Sequence, residues 1–236
     1  MEEKKMVNII YTNGENPNFI DMYEDERIKE TIETYDKTAV KYQDKFMEMD
    51  LYDDTFDRFC DLVGKQGAEI LDIATGPGNV VKYLYSKRSD CKILGIDLSP
   101  NMIELAKKNN PQADFAVMDC RNIDMIDRKF DAVMCAFCLP YLSREESGKL
   151  ISDSSKLLNP GGILYISTME GDYEKSGFET TSFSGSNRVF IYYHQEEYLS
   201  DCLTDAGFEI VDLLRKDYPE PDGTFLIDMI FIAQKV

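Results

Sequence analysis

Ile70-Leu71-Asp72-Ile73-Ala74-Thr75-Gly76-Pro77-Gly78-Asn79 is the stretch on which the fold turns. A short apolar run ends in a tight glycine turn, and an amphipathic segment follows. That is the local pattern of a strand entering a helix through a ligand-binding loop. Gly76 and Gly78 remove side chains where a ligand must approach the backbone, and glycine tolerates positive φ there. A Gly-x-Gly turn alone is weak, because dinucleotide-binding proteins use one too. Asp72 narrows the reading. A carboxylate inside the end of the strand repels a pyrophosphate and attracts an ammonium group.

Outward from this turn, short apolar runs alternate with amphipathic stretches, the signature of βαβ units and a parallel sheet. Strands are expected at 69–73, 92–96, 113–117, 130–135 and 163–167, with helices over 79–87, from Pro100 and over 143–158. Ser99 is placed to cap the helix at Pro100. Ser143-Arg144-Glu145-Glu146 has capping-box spacing, and Asn159-Pro160-Gly161-Gly162 is expected to stop that helix. An irregular polar stretch over 170–187 reads as a surface lid or substrate loop. A strand over 188–193, a helix over 196–206 and strands over 208–214 and 225–233 complete the chain. Before the turn, residues 1–20 read as a loose lead-in. Helical periodicity is expected over 21–46, through Ile28, Ile32, Tyr35, Ala39 and Tyr42, and again over 53–63. The organisation expected is a lead-in and helical cap over 1–64, then one α/β domain over 65–236.

Two further acids fall at strand ends. Asp97, after Gly95-Ile96, can accept both hydroxyls of a ribose; the competing reading, a helix-capping Asp, is weakened because Ser99 fills that role. Asp119 closes the third strand and faces the same crevice, where it can accept an adenine amino group. Three acids on three successive strand ends point to an adenosine ligand that also carries an ammonium.

With these residues in view, the sequence resembles the Rossmann-like S-adenosylmethionine-dependent methyltransferases, in particular the small-molecule, ubiquinone/menaquinone-biosynthesis-type branch. The resemblance runs over about residues 35–236. It rests on Leu71–Gly78, Asp97, Asp119, Phe130-Asp131-Ala132-Val133, Leu157–Gly162 and Leu203-Thr204-Asp205-Ala206-Gly207-Phe208. One departure is Ala74, where the family usually has glycine. The resemblance implies a doubly wound α/β fold: a seven-stranded, mostly parallel sheet whose last strand is antiparallel, an N-terminal helical cap and a lid-like insertion after strand five. It implies S-adenosylmethionine as cofactor, with Asp72, Ala74, Thr75, Gly76 and Gly78 at the methionine end. Asp97 would hold the ribose and Asp119 the adenine, with Leu98, Met102, Cys120 and Ala136 also binding the cofactor. Tyr35 and Tyr42 would touch the methionine from the N-terminal helix, or simply form the buried face of that helix. The expected activity is methyl transfer to a small molecule by in-line displacement, the O, N or C acceptor atom being open. The alternatives are an NAD-dependent oxidoreductase, which would want a third glycine where Val81 stands, and a non-catalytic S-adenosylmethionine-binding protein.

Composition limits partners. The 236 residues carry a net charge of −18, with 43% hydrophobic and 30% charged residues. That is globular composition, and it lacks the basic face a phosphate backbone requires. Neither nucleic acid nor a membrane surface is expected as partner. Cys135-Ala136-Phe137-Cys138-Leu139-Pro140-Tyr141 also lacks the Asn/Asp-Pro-Pro-aromatic motif of enzymes that methylate adenine or glutamine amino groups. Met1-Glu2-Glu3-Lys4-Lys5 is followed by no apolar h-region, so a cytoplasmic protein is expected. Cys135 and Cys138 form a C-x-x-C without the further ligands that zinc needs, and no metal is expected. His194, the sole histidine, is the candidate general base should the acceptor have a proton to lose; a structural histidine is the other reading. Phe178, Phe183, Phe190, Tyr192 and Tyr193 suggest an apolar or planar acceptor, or core packing.

Overall fold

The computed structural model describes residues 25–180, 186–220 and 223–236. The lead-in over 1–20, the first residues of the expected 21–46 helix, Phe183 and part of the 170–187 segment lie outside them. In chain order the elements are α1 (Glu26–Phe46), α2 (Asp53–Leu62), β1 (Glu69–Ile73), α3 (Asn79–Lys87), β2 (Lys92–Asp97), α4 (Pro100–Asn109), β3 (Asp114–Val117) and β4 (Phe130–Cys135). There follow α5 (Arg144–Leu157), β5 (Leu158–Met169), β6 (Gly177–Thr180), β7 (Arg188–Ile191), α6 (Glu196–Asp205), β8 (Phe208–Pro219) and β9 (Phe225–Lys235).

β1 and β4 are almost wholly buried, because a parallel strand covered on both faces must be apolar throughout. The main sheet has the order β3-β2-β1-β4-β5-β9-β8. β1 to β5 run parallel, and β9 is antiparallel to both β5 and β8. This is the doubly wound sheet with an antiparallel last strand. Successive residues point to opposite faces: Leu71, Val133 and Leu164 pack with Leu150, Ile151, Leu199 and Leu203 of α5 and α6. Ile70, Ala132 and Tyr165 pack with Phe56 and Phe59 of α2 and Val80, Val81 and Leu84 of α3. The chain leaves β1 toward β2 on one side and returns as β4 on the other. The carboxyl ends of β1 and β4 therefore flank the crevice where an open α/β sheet binds its ligand.

The caps form as expected. Ser99 Oγ accepts the Met102 amide, and Ser143 and Glu146 satisfy each other's backbone amides in a capping box. Several segments differ from the sequence reading. Asn159-Pro160-Gly161-Gly162 ends α5 yet already belongs to β5, as a bulge: Phe130 pairs with Leu158 and Ala132 with Ile163. Within the expected irregular stretch, β6 pairs antiparallel with β7 as a hairpin outside the main sheet. β7 also stops at Ile191, since the amides of Tyr192 and Tyr193 leave the ladder for Pro140 O and Ser176 Oγ. β8 and β9 run on to Pro219 and Lys235, pairing the charged Arg215-Lys216-Asp217 at the sheet edge. Charged side chains suit an edge strand. Among the described residues, no helix is long and apolar enough to cross a membrane.

α1 bridges the hairpin and α4. Its Thr31 and Thr34 hydroxyls bond to the backbones of Phe190 and Arg188 at 2.9 and 2.7 Å. Asp36 accepts the Ser99 hydroxyl at 2.7 Å and the Asn101 amide at 3.1 Å, at the start of α4. The helix is thereby held across the crevice mouth.

Candidate active site

The floor of the site is the turn after β1. Ala74, Gly76 and Gly78 all have positive φ, 56°, 55° and 80°. Gly78 is the N-cap of α3, and a Cβ there would lie 2.4 Å from Asn110 Nδ2. That amide donates to the Gly78 carbonyl at 2.9 Å and fixes the turn. Asp72 is 1% exposed, and its Oδ2 accepts the Thr75 hydroxyl at 2.5 Å. Burial pushes its carboxyl up to about 7, because a low-dielectric site disfavours the charged form. No ion pair with a described Lys or Arg offsets that cost.

Asp97 closes β2. Its Oδ2 accepts the Gly76 amide at 2.9 Å and its Oδ1 the Ser99 amide at 2.8 Å. Burial raises it to about 6 against the pull of those amides. Each carboxylate oxygen has a second lone pair. Asp97 can thus staple two loops and still accept hydroxyls from a ligand.

The crevice is two adjoining cavities of about 130 and 300 Å³. The smaller is lined by Asp97, Leu98, Met102, Cys120, Ala136 and neighbouring residues. The larger is lined by Asp72, Thr75 and a ring of aromatic side chains. Ala74, Gly76, Tyr35, Tyr42, Ala136, Phe137 and Tyr141 line both. The tyrosines of α1 meet there: Tyr35 and Tyr141 share a hydrogen bond between their hydroxyls, and the rings of Tyr35 and Tyr42 pack edge-on at 5.7 Å.

Three expected residues stand elsewhere. Gly78 lines neither cavity and serves the turn. Asp119 lines neither; its Oδ1 accepts the backbone amide of Arg121 at 2.9 Å and its guanidinium at 3.2 Å. The residues beside it, Met118, Cys120 and Arg121, line the smaller cavity. His194 is 0% exposed and lines neither cavity. Its Nε2 lies 3.0 and 3.2 Å from the carbonyls of Leu139 and Leu142, while Nδ1 has no partner. Two acceptors facing Nε2 fix the proton there. Burial lowers its pKa. The ring joins the exit of β7 to the turn after β4. Among the described residues, no group of three or more His, Cys, Asp or Glu is arranged to hold a metal ion.

The sequence reading missed Tyr52, Phe137, Glu179, Glu220 and Asp228, all in the larger cavity. Only Asp228 left a signal: it is the one acid inside the apolar run Phe225–Ala233. It is 2% exposed, accepts the Tyr52 hydroxyl at 2.5 Å, and is raised to about 6 by burial and then by Glu220.

Residues 70–162 match the methyltransferase domain family. The chain is 32% identical over 141 residues to the demethylmenaquinone methyltransferase of Thermotoga maritima, covering 58% of this chain and 61% of that one. Over these stretches the chain is similar to methyltransferases. A tRNA N(3)-methylcytidine methyltransferase of Schizosaccharomyces pombe is 25% identical over 211 residues, 78% of this chain and 85% of that one. Among solved structures, magnesium protoporphyrin IX methyltransferase of Synechocystis PCC 6803 with bound S-adenosylmethionine superposes with a TM-score of 0.66. That match is at 17% identity, over 89% of this chain and 98% of that one. The chain spans less than two thirds of the length of the curated relatives it matches first. S-adenosylmethionine is the compound bound in the magnesium protoporphyrin IX methyltransferase structure. The crevice suits it: Asp72 is a buried carboxylate awaiting a cation, one glycine turn away from an acid with lone pairs to spare.

Proposed function

We propose that this chain transfers a methyl group from S-adenosylmethionine to a small-molecule acceptor held in the larger cavity. The observation that carries the reading is the two-lobed crevice: Asp97 lies in one lobe, Asp72 in the other, and the two lobes share one set of walls. An adenosine held by Asp97 and a methionine ammonium held by Asp72 bring the sulfonium to that shared wall, beside Tyr35, Tyr42 and Tyr141. When bound, the cofactor supplies an electrophilic methyl group. The chain's own work is to orient and enclose. Leu98, Met102, Met118 and Cys120 flank the adenine, Ala74, Thr75 and Gly76 present the turn, and α1 with the β6–β7 hairpin roofs the lobe that remains for the acceptor. Placement of this kind can supply much of the rate of an in-line displacement.

In this reading His194 is structural. A histidine sealed from both lobes, with its only proton between two carbonyls, has no path to an acceptor. Asp119 acts through Arg121, beside the adenine lobe. Nucleic acid is disfavoured as acceptor by the −18 charge, since phosphate contacts need cations at the surface. Calorimetry with S-adenosylhomocysteine tests the cofactor half. Asp97→Ala is expected to lose roughly 2–4 kcal/mol, the scale of charge-assisted hydrogen bonds, and equal affinity would remove Asp97 from the site. The acceptor half is tested by mass-spectrometric detection of methyl gain in a metabolite pool; methylation of bulk tRNA at physiological salt in its place would overturn it.

A further inference from the structure

The larger cavity has a chemistry of its own beyond the methionine end. Besides Asp72, its walls hold three carboxylates, Asp228, Glu179 and Glu220, and no lysine, arginine or histidine among the described residues. Asp228 is the deepest of them. A carboxylate within an apolar central strand is costly to keep, and its surroundings do little to recover that cost. Tyr52 donates one hydrogen bond. Lys216, its register partner on β8, reaches Asp54 at 2.6 Å instead. The remaining wall is aromatic: Tyr42, Phe46, Tyr52, Phe56, Phe137 and Tyr218. Two of these rings already receive an ammonium, the exposed Lys45 Nζ lying 5.1 Å from the Phe46 centroid and 5.7 Å from that of Tyr218. Glu179 accepts the Tyr193 hydroxyl at 2.9 Å, and ring faces together with carboxylates that have no cationic partner among the described residues favour a cation.

We propose that the methyl acceptor is a small primary or secondary amine, bound as its ammonium ion between Asp228 and this aromatic wall. The assignment rests on the methyl-transfer reading above and names the acceptor class for the same site. An acceptor that carries a carboxylate, phosphate or phenolate would set a second negative charge beside Asp228 and Glu220 in a poorly solvated space. An alcohol would ask a carboxylate to remove a proton it holds far more tightly than an ammonium does. For an amine the steps balance. The ammonium gives one N–H proton to Asp228, and the freed nitrogen lone pair forms a bond to the methyl carbon. The carbon–sulfur bond breaks with its electron pair going to sulfur, which becomes a neutral thioether. The methylated nitrogen keeps the positive charge, and the proton on Asp228 passes to water as product leaves. Burial, which raises Asp228 toward about 6, makes it a better proton acceptor than a surface aspartate.

Binding, measured without turnover, tests this. With the protein saturated by S-adenosylhomocysteine, calorimetry is run with phenethylamine, N-methylphenethylamine, cyclohexylamine and butylamine, and with 2-phenylethanol and phenylacetate as neutral and anionic counterparts. At least one amine is expected to bind at least tenfold tighter than both counterparts. Asp228→Asn, which keeps the size of the side chain and an acceptor for Tyr52, is expected to weaken that amine tenfold or more while changing S-adenosylhomocysteine affinity less than twofold. The proposal is overturned if the alcohol or the carboxylate binds as well as the amines, if Asp228→Asn binds the amine unchanged, or if no amine binds at millimolar concentration to the saturated protein. Failure of the wild-type protein to bind S-adenosylhomocysteine is a separate result, and it sinks the methyltransferase reading itself.

Discussion

Ala74 holds φ at 56° on the floor of the crevice, where the Cβ of an L-residue crowds the following carbonyl at a cost of about 1–2 kcal/mol. That backbone conformation suits a glycine better than an alanine. Ala74→Gly removes the crowding but frees more unfolded-state entropy, about 0.5–1 kcal/mol. A net gain of up to about 1 kcal/mol is expected, read as a thermal midpoint higher by about 2–4 °C; a lowered midpoint would show that the strain is not there. Asp72 carries a second prediction. Its carboxylate is buried with only Thr75 for company, so Asp72→Asn should raise the midpoint of the ligand-free protein at pH 8. It should also weaken S-adenosylhomocysteine tenfold or more and leave adenosine, which has no ammonium, within about twofold. Loss of adenosine binding as well would mean that Asp72 holds the turn together. Asp72 and Asp97 could be placed at the crevice because each lies at the carboxyl end of a strand, and strand ends can be read from hydrophobic runs. Asp119 and His194 line neither cavity for one reason: which way a side chain turns at such a position is settled by partners remote in sequence or by its local backbone. For His194 the partners are the carbonyls of Leu139 and Leu142, and for Asp119 the amide and guanidinium of Arg121.

Among the elements, α1 depends most on contacts of this remote kind. Its hydrophobic stripe through Ile28, Ile32 and Ala39 marks a helix, but its position over the crevice comes from polar bonds made by Thr31, Thr34 and Asp36. Asp36→Ala removes the carboxylate that accepts from Ser99 and Asn101 and leaves only the Asn101 side-chain amide on the Asp36 carbonyl. The amides of α1 should then exchange at least tenfold faster, with β1 and β4 unaffected, as expected when one unit opens locally. S-adenosylhomocysteine should bind more weakly, since Tyr35 and Tyr42 ride on this helix. Unchanged exchange would show that the hairpin contacts and the remaining bonds from Asn101 and Asn109 seat α1 without the Asp36 carboxylate. The parallel strands could be read to within a residue or two, apart from the start of β5, because each carries a short, mostly apolar run set between polar segments. β6 could not: Gly177-Phe178-Glu179-Thr180 is a strand only because β7 pairs with it. The same holds for β8 beyond Leu214, where charged residues find their ladder on β9.

Across the molecule, acidity and burial combine into a dependence on pH. Asp72, Asp97 and Asp228 are raised by burial to about 7, 6 and 6 from an ordinary value near 3.8. Between about pH 4 and 7 these three groups bind more protons in the folded chain than in the unfolded chain, so the stability they contribute falls as pH rises through that window. Repulsion within a chain of net charge −18 acts in the same direction. Two opposing effects set the acid side. His194, lowered by burial, takes its proton preferentially when unfolded, which removes stability as pH falls below its ordinary value of about 6.5. The ion-paired Asp131 and Asp153, held below the usual carboxylate range, lose their contribution below about pH 4. The ligand-free midpoint is thus expected to be highest near pH 5 and to decline toward pH 8. Cofactor binding should reverse part of this, because an ammonium beside Asp72 favours the ionised carboxylate. At pH 6, where Asp72 is largely protonated, binding of S-adenosylhomocysteine should release close to one proton, and affinity should rise with pH up to about 7. Calorimetry in buffers of different ionisation enthalpy counts that proton directly. A binding enthalpy independent of buffer at pH 6, or proton release that survives Asp72→Asn, would place the ammonium elsewhere in the crevice.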